Sequence, residues 1–221
     1  MIKTIIFDLG GVILNIDFNK AAKAFKELGL EDFEGLYSKA TQSQLFDRLE
    51  KGLITVNRFH KELRDLSGIA LSDNQIDHAW NSLILDFPPA RLQLLKDLRA
   101  NYKLYLLSNT NQIHADFYNQ DLRDNHGIDG LEELFDKVYY SHDIALRKPD
   151  ATPFEYVLKD QNIKVEESLF IDDSLPNILT ANQLGMNTIF LNLDNGHDVL
   201  DLFENSKLKN GPSTASGTLE M

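Results

Sequence analysis

The chain has 221 residues, of which 43% are apolar and 25% charged, as in ordinary globular proteins of one elaborated domain or two small ones. Its 34 acidic side chains outnumber the 22 basic ones, and the net charge of −12 argues against nucleic acid or an anionic membrane as a partner. The absence of cysteine excludes disulfides and thiolate metal sites. Because it has neither a membrane-length apolar run nor a signal-like N-terminus, we expect a cytoplasmic protein.

The first predicted element is a strand. Residues 2–7 form a β-branched, apolar run that stops at Asp8, which is typical of a strand buried on both faces of a parallel sheet. Gly10 and Gly11 follow, where the backbone is free to take conformations that other residues avoid. The pattern therefore predicts a strand that leads directly into a tight polar turn.

The segment from Asp17 to about Leu85 has helical periodicity and almost no strand signal, which predicts a helical bundle. The predicted N-caps are Asp17, Thr55 and Ser72, and the predicted helix ends are Gly29, Gly52 and Gly68. Pro88 and Pro89 close the segment. We therefore predict a helical domain over 15–88, a catalytic core made of 1–14 plus 89–204, and a loose tail over 205–221.

After the bundle, strands and helices alternate. The predicted strands cover 103–107, 137–140, 168–171 and 187–191, and the predicted helices cover about 90–100, 153–161 and 176–184. This alternation predicts an α/β fold with a parallel sheet and right-handed crossovers.

Polar residues follow the predicted strands. Asp8, Ser108 and the pair Asp172-Asp173 each come directly after an apolar strand, and Lys148 lies in the loop after another. Because ligands of such sheets bind beyond the carboxyl ends of the strands, we expect these side chains to share one edge. Any one of them alone is more often a turn or a helix cap, but the ordered set indicates a site.

Four motifs in this order resemble the haloacid dehalogenase-like hydrolase superfamily, in particular its phosphatases with a helical cap. They are Phe7-Asp8-Leu9-Gly10-Gly11-Val12, Leu107-Ser108-Asn109-Thr110, Arg147-Lys148-Pro149 and Phe170-Ile171-Asp172-Asp173-Ser174. Together with Ile16-Asp17-Phe18-Asn19, the same segments are similar to the branch of bacterial α-D-glucose-1-phosphate phosphatases. The resemblance implies a Rossmann-like sheet with the first strand at its centre, a helical cap, and a magnesium-dependent phosphatase acting on a small phosphorylated metabolite.

The resemblance also implies a role for each site residue. The catalytic residues would be Asp8, Lys148 and Ser108; the substrate-binding residues Ser108, Asn109, Lys148 and Gly11; and the metal-binding residues Asp8, Gly10, Asp173 and Asp172. Asp8 would attack phosphorus and form an aspartyl-phosphate, while Lys148 stabilises negative charge. A hard cation such as Mg²⁺ relieves the repulsion between carboxylate and phosphate. Asp172 would either contact the metal or orient Lys148 or a metal-bound water.

Gly10 departs from the pattern of the superfamily. Most of its phosphatases carry a second Asp two residues after the nucleophile, as general acid and then base, and Gly10 has no side chain for this role. General acid–base catalysis contributes about 10²–10⁴-fold. The departure leaves three alternatives: a slow enzyme, the use of another acid, or a preference for acidic leaving groups such as the anomeric oxygen of a sugar 1-phosphate. It also leaves open a haloacid dehalogenase, whose halide needs no proton, or a catalytically weak scaffold.

Other polar residues carry weaker predictions. The six histidines show no metal-ligand spacing, so we expect no zinc site. His114 follows the Ser108-Asn109-Thr110-Asn111 segment and could lie near the pocket, but we expect a polar residue of a helix surface. For Trp80 we expect packing in the core of the bundle over stacking on a substrate. Arg147 either supports the site or pairs with a surface acid. The sequence leaves both a monomer and a dimer open, and it does not specify the substrate.

Overall fold

The computed structural model describes residues 1–30 and 44–209. Five parallel strands form one sheet in the order β3-β2-β1-β4-β5, which places the first strand at the centre. The strands are β1 (Thr4–Phe7), β2 (Lys103–Ser108), β3 (Lys137–Tyr140), β4 (Ser168–Asp172) and β5 (Asn187–Phe190). The predicted α/β class, the parallel Rossmann-like sheet and the central position of β1 are therefore confirmed.

Helices cover both faces of the sheet. In chain order they are α1 (Phe18–Glu27), α2 (Leu45–Glu50), α3 (Val56–Ser67), α4 (Asp73–Asn81), α5 (Pro89–Leu98), α6 (Gln112–Asp121), α7 (Ser141–Ile144), α8 (Ala151–Asp160) and α9 (Leu175–Gln183). Side chains of β1 alternate between two cores, because successive residues of a strand point to opposite faces. Ile5 and Phe7 pack with α5 and α6, and Ile6 packs with α8 and α9.

Among the described helices between residues 15 and 88, which we call the cap, three begin at the residues predicted as N-caps and one ends at its predicted glycine. The side chains of Asp17 and Thr55 accept hydrogen bonds from the first turns of α1 and α3, and Ser72 forms a reciprocal capping box with Gln75 at α4. Gly68 ends α3 with a φ of 69°, in the left-handed region that glycine adopts at low cost. Every strand of the five-stranded sheet lies outside 15–88.

Two linkers connect the cap to the sheet, and they pair with each other. The backbone N–H of Asn15 donates to the carbonyl of Asp86 at 3.0 Å, and the N–H of Leu85 donates back to Asn15 at 3.0 Å. Buried Arg91, in the first turn of α5, donates to the side chains of both Asn15 and Asp198. The linkers therefore form a short antiparallel ribbon anchored on the core.

The structure differs from the sequence predictions at several elements, most of them by one or two residues at an end. β2 and β4 each run one residue further than predicted, and α6 has bounds that the sequence analysis did not predict. Residues 205–209, expected in the tail, lie in or beside a hairpin of Phe203–Glu204 with Lys207–Leu208. Its Leu208 N–H donates to the hydroxyl of Tyr102 at 3.0 Å, so tertiary contacts order this stretch. Residues 210–221 lie outside the described residues.

Candidate active site

Asp8 lies directly beyond the central strand, at the carboxyl edge of the sheet. Its N–H donates to the carbonyl of Ile171 in β4 at 2.9 Å, which continues the strand pairing up to Asp8. The chain then turns at once, because the N–H groups of Ile13 and Leu14 both donate to the carbonyl of Leu9. The tight turn leaves the Asp8 carboxylate at the sheet edge instead of inside the ladder.

Lys148 lies between two carboxylates. Its Nζ is 2.8 Å from Oδ1 of Asp8 and 2.8 Å from Oδ2 of Asp172, and only 1% of its side chain is exposed. Burial opposes its charge, but the two carboxylates outweigh that effect and raise the pKa of Lys148 above its ordinary value. Lys148 is therefore a fixed positive charge beside Asp8.

Asp172 is fully buried and its oxygens already have partners. Oδ2 accepts hydrogen bonds from Lys148 and from Asn177 Nδ2, and Oδ1 accepts one from the N–H of Ser174. These contacts fix the carboxylate and, through it, the ammonium of Lys148. They fit the orienting role that the sequence analysis left open for Asp172 better than direct contact with a metal.

The residues present fit a hard divalent cation. Asp8, Asp172 and Asp173 each offer a carboxylate oxygen, and these atoms lie within 4.8 Å of one another. Burial, reinforced by neighbouring carboxylates, raises the pKa of Asp8 to about 7 and that of Asp173 to about 6. The three negative charges have only the ammonium of Lys148 to balance them, so the cluster would gain from a cation. Carboxylate oxygens are also the ligands that Mg²⁺ prefers. Asp8 and Asp173 are the freest of the three to supply them.

The two adjacent glycines of the turn have different constraints. Gly11 has a φ of +74°, and a Cβ atom there would lie 2.2 Å from Oδ2 of Asp173, so only glycine lets the backbone approach this carboxylate. Gly10 lies outside the left-handed region, and its Cβ would meet only the flexible end of Ile16 at 3.0 Å. The backbone at Gly10 is therefore compatible with a side chain, which the sequence left undecided.

Ser108 and Asn109 reach the same edge from β2. Ser108 is buried at the end of the strand, and both residues line a pocket next to Gly10. The Asn109 side chain brackets the backbone of Lys148: its Nδ2 donates to the Lys148 carbonyl at 2.8 Å, and its Oδ1 accepts from the Lys148 N–H at 2.9 Å. The sequence did not predict this pair of hydrogen bonds, because no local sequence pattern relates two residues that are 39 positions apart.

Two cavities with common lining residues lie at the carboxyl edge of the sheet. The entrance cleft, of about 560 Å³, is lined by Asp8, Gly10, Lys148, Asp173 and the cap residue Glu50 among others. The inner pocket, of about 90 Å³, lies between cap and core, and its wall is largely apolar. Both share Gly10, Glu50 and Asn109. The site is thus closed on one side by the sheet edge and on the other by the cap.

His114 is not the surface residue that we predicted. It is 8% exposed, lines the inner pocket, and its ring stacks on Trp80 with centroids 5.0 Å apart. Its Nδ1 is 2.8 Å from Oδ1 of Asn81, and burial lowers the pKa of His114 to about 3. The prediction was wrong because it treated α6 as an exposed helix, whereas α4 packs against it. Trp80 is buried as predicted, but it also lines the inner pocket.

An ion pair joins the cap to the loop that carries Arg147 and Lys148. Arg147 Nε contacts Oε2 of Glu50 at the end of α2, and Arg147 Nη1 donates to the carbonyl of Lys148 at 3.2 Å. Of the two roles left open for Arg147, the structure therefore favours support of the site. Sequence analysis missed Glu50, because an acid at the end of a short amphipathic helix is normally a solvated surface charge.

A comparison with known protein families identifies this arrangement. The family described as haloacid dehalogenase-like hydrolase matches residues 2–185. The chain belongs to this family. This hydrolase is 36% identical to a D-ribitol-5-phosphate phosphatase of Bacteroides thetaiotaomicron over 188 residues, which cover 85% of this chain and 91% of that protein.

Solved structures of the family agree with the fold. The crystal structure of a haloacid dehalogenase family enzyme of Bacteroides thetaiotaomicron, in complex with magnesium and inorganic phosphate, is similar with a TM-score of 0.85 and 37% identity, covering 92% of this chain and 100% of that one. A predicted hydrolase of the family from Porphyromonas gingivalis has a TM-score of 0.79 and 33% identity, covering 86% and 91%. Within the described residues of this hydrolase, we find no helix of the length and apolarity that a membrane crossing requires.

Proposed function

We propose that this hydrolase transfers the phosphoryl group of a small phosphorylated metabolite to Asp8 and then releases phosphate by hydrolysis of the aspartyl-phosphate. The observation that carries the proposal is the contact of Lys148 Nζ with Asp8 Oδ1 at 2.8 Å, beside the carboxylates of Asp172 and Asp173. Two relatives support a phosphatase that uses Mg²⁺: one is named as a D-ribitol-5-phosphate phosphatase, and the other has a crystal structure in complex with magnesium and inorganic phosphate. The chain is a phosphatase of its family, and Mg²⁺ is its cofactor.

Each residue of the sheet edge has a part in the proposed reaction. One oxygen of Asp8 is held by Lys148, and its other oxygen is available to attack phosphorus in line. Asp8, Asp173 and the Gly10 carbonyl would hold Mg²⁺, which neutralises negative charge on the transferring phosphoryl group when bound. Lys148, Ser108 and the N–H group of Asn109 would stabilise the equatorial oxygens. The N–H of Gly11 already donates to the carbonyl of Leu14 at 2.8 Å, so it does not fit the substrate-binding role predicted for it.

The inner pocket suggests the size of the leaving group. A volume of about 90 Å³ suits a group of a few carbon atoms better than a nucleoside or a polyprenyl chain. Small sugar and sugar-alcohol phosphates are therefore the substrates that we propose to test first. The missing acid at Gly10 is the reason to test a sugar 1-phosphate, because its anomeric oxygen is a good leaving group. The D-ribitol-5-phosphate phosphatase among the relatives is the reason to test a sugar-alcohol phosphate.

A substrate panel tests the proposal. Phosphate release would be measured on sugar 1-phosphates, sugar 6-phosphates, pentitol phosphates, nucleotides and an aryl phosphate, with Mg²⁺ and with a chelator in its place. We expect turnover of the small sugar or polyol phosphates that stops on chelation. Halide release from a 2-haloacid, assayed in parallel, distinguishes the dehalogenase alternative. Turnover that persists without a divalent cation would contradict the proposed site.

A further inference from the structure

The proposed reaction needs a proton donor that the sheet edge lacks. This inference rests on the proposed function. When the bond between phosphorus and the bridging oxygen breaks, an alcohol leaving group must take up a proton, and Gly10 has no side chain to supply it. The donor must therefore be another group that faces the space beside Gly10.

Glu50 faces that space from the cap. It lines the inner pocket together with Gly10, Ser108 and Asn109, and it also lines the entrance cleft together with Asp8 and Lys148. Because the inner pocket has a volume of only about 90 Å³, groups on its wall are within a few ångströms of a ligand that fills it. The side chain of Glu50 is 19% exposed, so it is largely withdrawn from solvent.

Other titratable groups on the same wall are poor donors. Among the described residues that line the inner pocket, Glu50 is the only carboxylic acid; the others that titrate are His114 and Tyr118. Burial lowers the pKa of His114 to about 3, so it carries no proton to give near neutral pH, and burial raises the pKa of Tyr118 well above its ordinary value. Asp8 and Asp173 already have the nucleophile and metal roles.

We propose that Glu50, supplied by the cap, is the general acid and base that replaces the missing carboxylic acid at Gly10. In the first step the Asp8 oxygen forms a bond to phosphorus while the bond to the bridging oxygen breaks. The Glu50 carboxyl proton moves to that oxygen, and the alcohol leaves. In the second step a water attacks phosphorus, the Asp8–phosphorus bond breaks, and the water's proton returns to Glu50 as phosphate departs.

The surroundings of Glu50 suit both steps. Burial raises the pKa of Glu50 above its ordinary value despite the opposing charge of Arg147. The contact with Arg147 then stabilises the carboxylate that proton transfer creates. Asp47 and Lys51, the other charged neighbours, lie on the same helical segment. Because Glu50 belongs to the cap, proton transfer requires the cap to lie against the core.

The variant Glu50→Gln tests the assignment with two kinds of substrate. An aryl phosphate needs little protonation of its leaving group, whereas an alkyl phosphate such as a pentitol phosphate needs it strongly. We expect kcat for the alkyl phosphate to fall about 10²-fold or more, and kcat for the aryl phosphate to change less than about threefold. Glu62→Gln is the matched control: this acid of the cap is 17% exposed, pairs with Arg48 and Arg58, and lines neither cavity. It should leave both rates near wild type.

A merely structural role gives a different result. If Glu50 serves only to hold the cap through Arg147, then Glu50→Gln and Arg147→Met will both slow the two substrates equally, and the inference is overturned. Equal rates of wild type and Glu50→Gln on the alkyl phosphate also overturn it. Gly10→Asp in the Glu50→Gln background should restore alkyl phosphate turnover, since the backbone at Gly10 accepts a side chain. Thermal melts check that each variant is folded.

Failure of the proposed function is recognised separately. If wild type releases no phosphate from either substrate with Mg²⁺ present, the proposed function on small sugar and polyol phosphates fails, and the assignment of Glu50 fails with it. If wild type turns over both substrates and Glu50→Gln shows no dependence on the leaving group, only the assignment of Glu50 fails.

Discussion

The sheet edge and the cap wall hold their polar groups in different ways. At the sheet edge, Lys148 and Asp172 are almost completely buried, and each has several partners in the core. On the cap wall, Glu50 stays partly exposed and contacts the core through Arg147. The sheet edge is thus fixed before a ligand arrives, while the cap contributes groups whose position depends on how the two parts meet. In the proposed reaction, the edge would supply the fixed charge, and the cap would contact the leaving group.

The largest expected effect comes from the nucleophile at the sheet edge. Asp8→Asn replaces a carboxylate by an amide that cannot attack phosphorus, so we expect turnover to fall at least about 10²-fold while phosphate binding persists. Phosphate release with Mg²⁺ and equilibrium binding of inorganic phosphate measure the two effects. A folded Asp8→Asn protein that keeps more than a few per cent of wild-type turnover is incompatible with the covalent mechanism.

Removal of the buried ammonium of Lys148 tests how much the ion pairs at the sheet edge contribute to the free energy of unfolding. Lys148→Met leaves the Asp8 and Asp172 carboxylates without their shared partner, and we expect a loss of about 3–5 kcal/mol in the free energy of unfolding. In the cap, Lys61 pairs with Asp65 on the exposed surface of α3, and Lys61→Met should cost less than about 0.5 kcal/mol. Urea unfolding of both variants measures the difference. Similar losses would show that the two regions do not differ as described.

The boundary between the regions is sensitive to acid. The pKa of His114 is about 3 in the folded protein and ordinarily 6.5. Between these pH values the unfolded chain takes up a proton at His114 that the folded protein does not, so stability falls as pH is lowered below 6.5. At pH 5 the loss from this residue is about 2 kcal/mol, at about 1.4 kcal/mol per pH unit.

The matched variant for this effect is His114→Gln, which keeps a polar group beside Asn81. Chemical unfolding at pH 7.5 and at pH 5 should show a smaller loss of stability for His114→Gln than for wild type. An identical pH dependence of the two proteins would mean that His114 is protonated in the folded state, and that the pocket is wetter than its burial indicates.

Loss of a helix cap, with an expected effect smaller than those at Asp8, Lys148 and His114, is confined to the cap. Ser72→Ala removes the hydroxyl that accepts from the N–H of Gln75 and should cost about 1 kcal/mol in the free energy of unfolding. Turnover of an aryl phosphate should stay within about twofold of wild type, since α4 keeps its packing. Thermal melts and initial rates measure the two quantities. A large loss of turnover with a small loss of stability would connect the capping box to the site.

Helix ends were predictable because the signals are local. Asp17, Thr55 and Ser72 each satisfy backbone N–H groups within three residues, and Gly68 takes the left-handed conformation that the end of α3 requires. The ordering of residues 205–209 was not predictable, because it depends on Tyr102, a residue more than a hundred positions away. The course of the first strand into a polar turn at Asp8 was predictable from its apolar run.

By itself, the sequence determined the sheet class, the helix caps and the set of polar residues Asp8, Ser108, Lys148 and Asp172. Asp8, Ser108 and Asp172 lie at or directly beyond the end of a strand, and Lys148 lies in the loop region after β3, so the sheet places all four at one edge. Only the tertiary structure decided which residues of other helices line the pocket beside them. Glu50 and His114 have sequence surroundings typical of solvated helix residues, and they line the pocket because α2 and α4 pack against the core. Contacts between distant helix faces depend on the relative placement of whole elements, which no local pattern specifies.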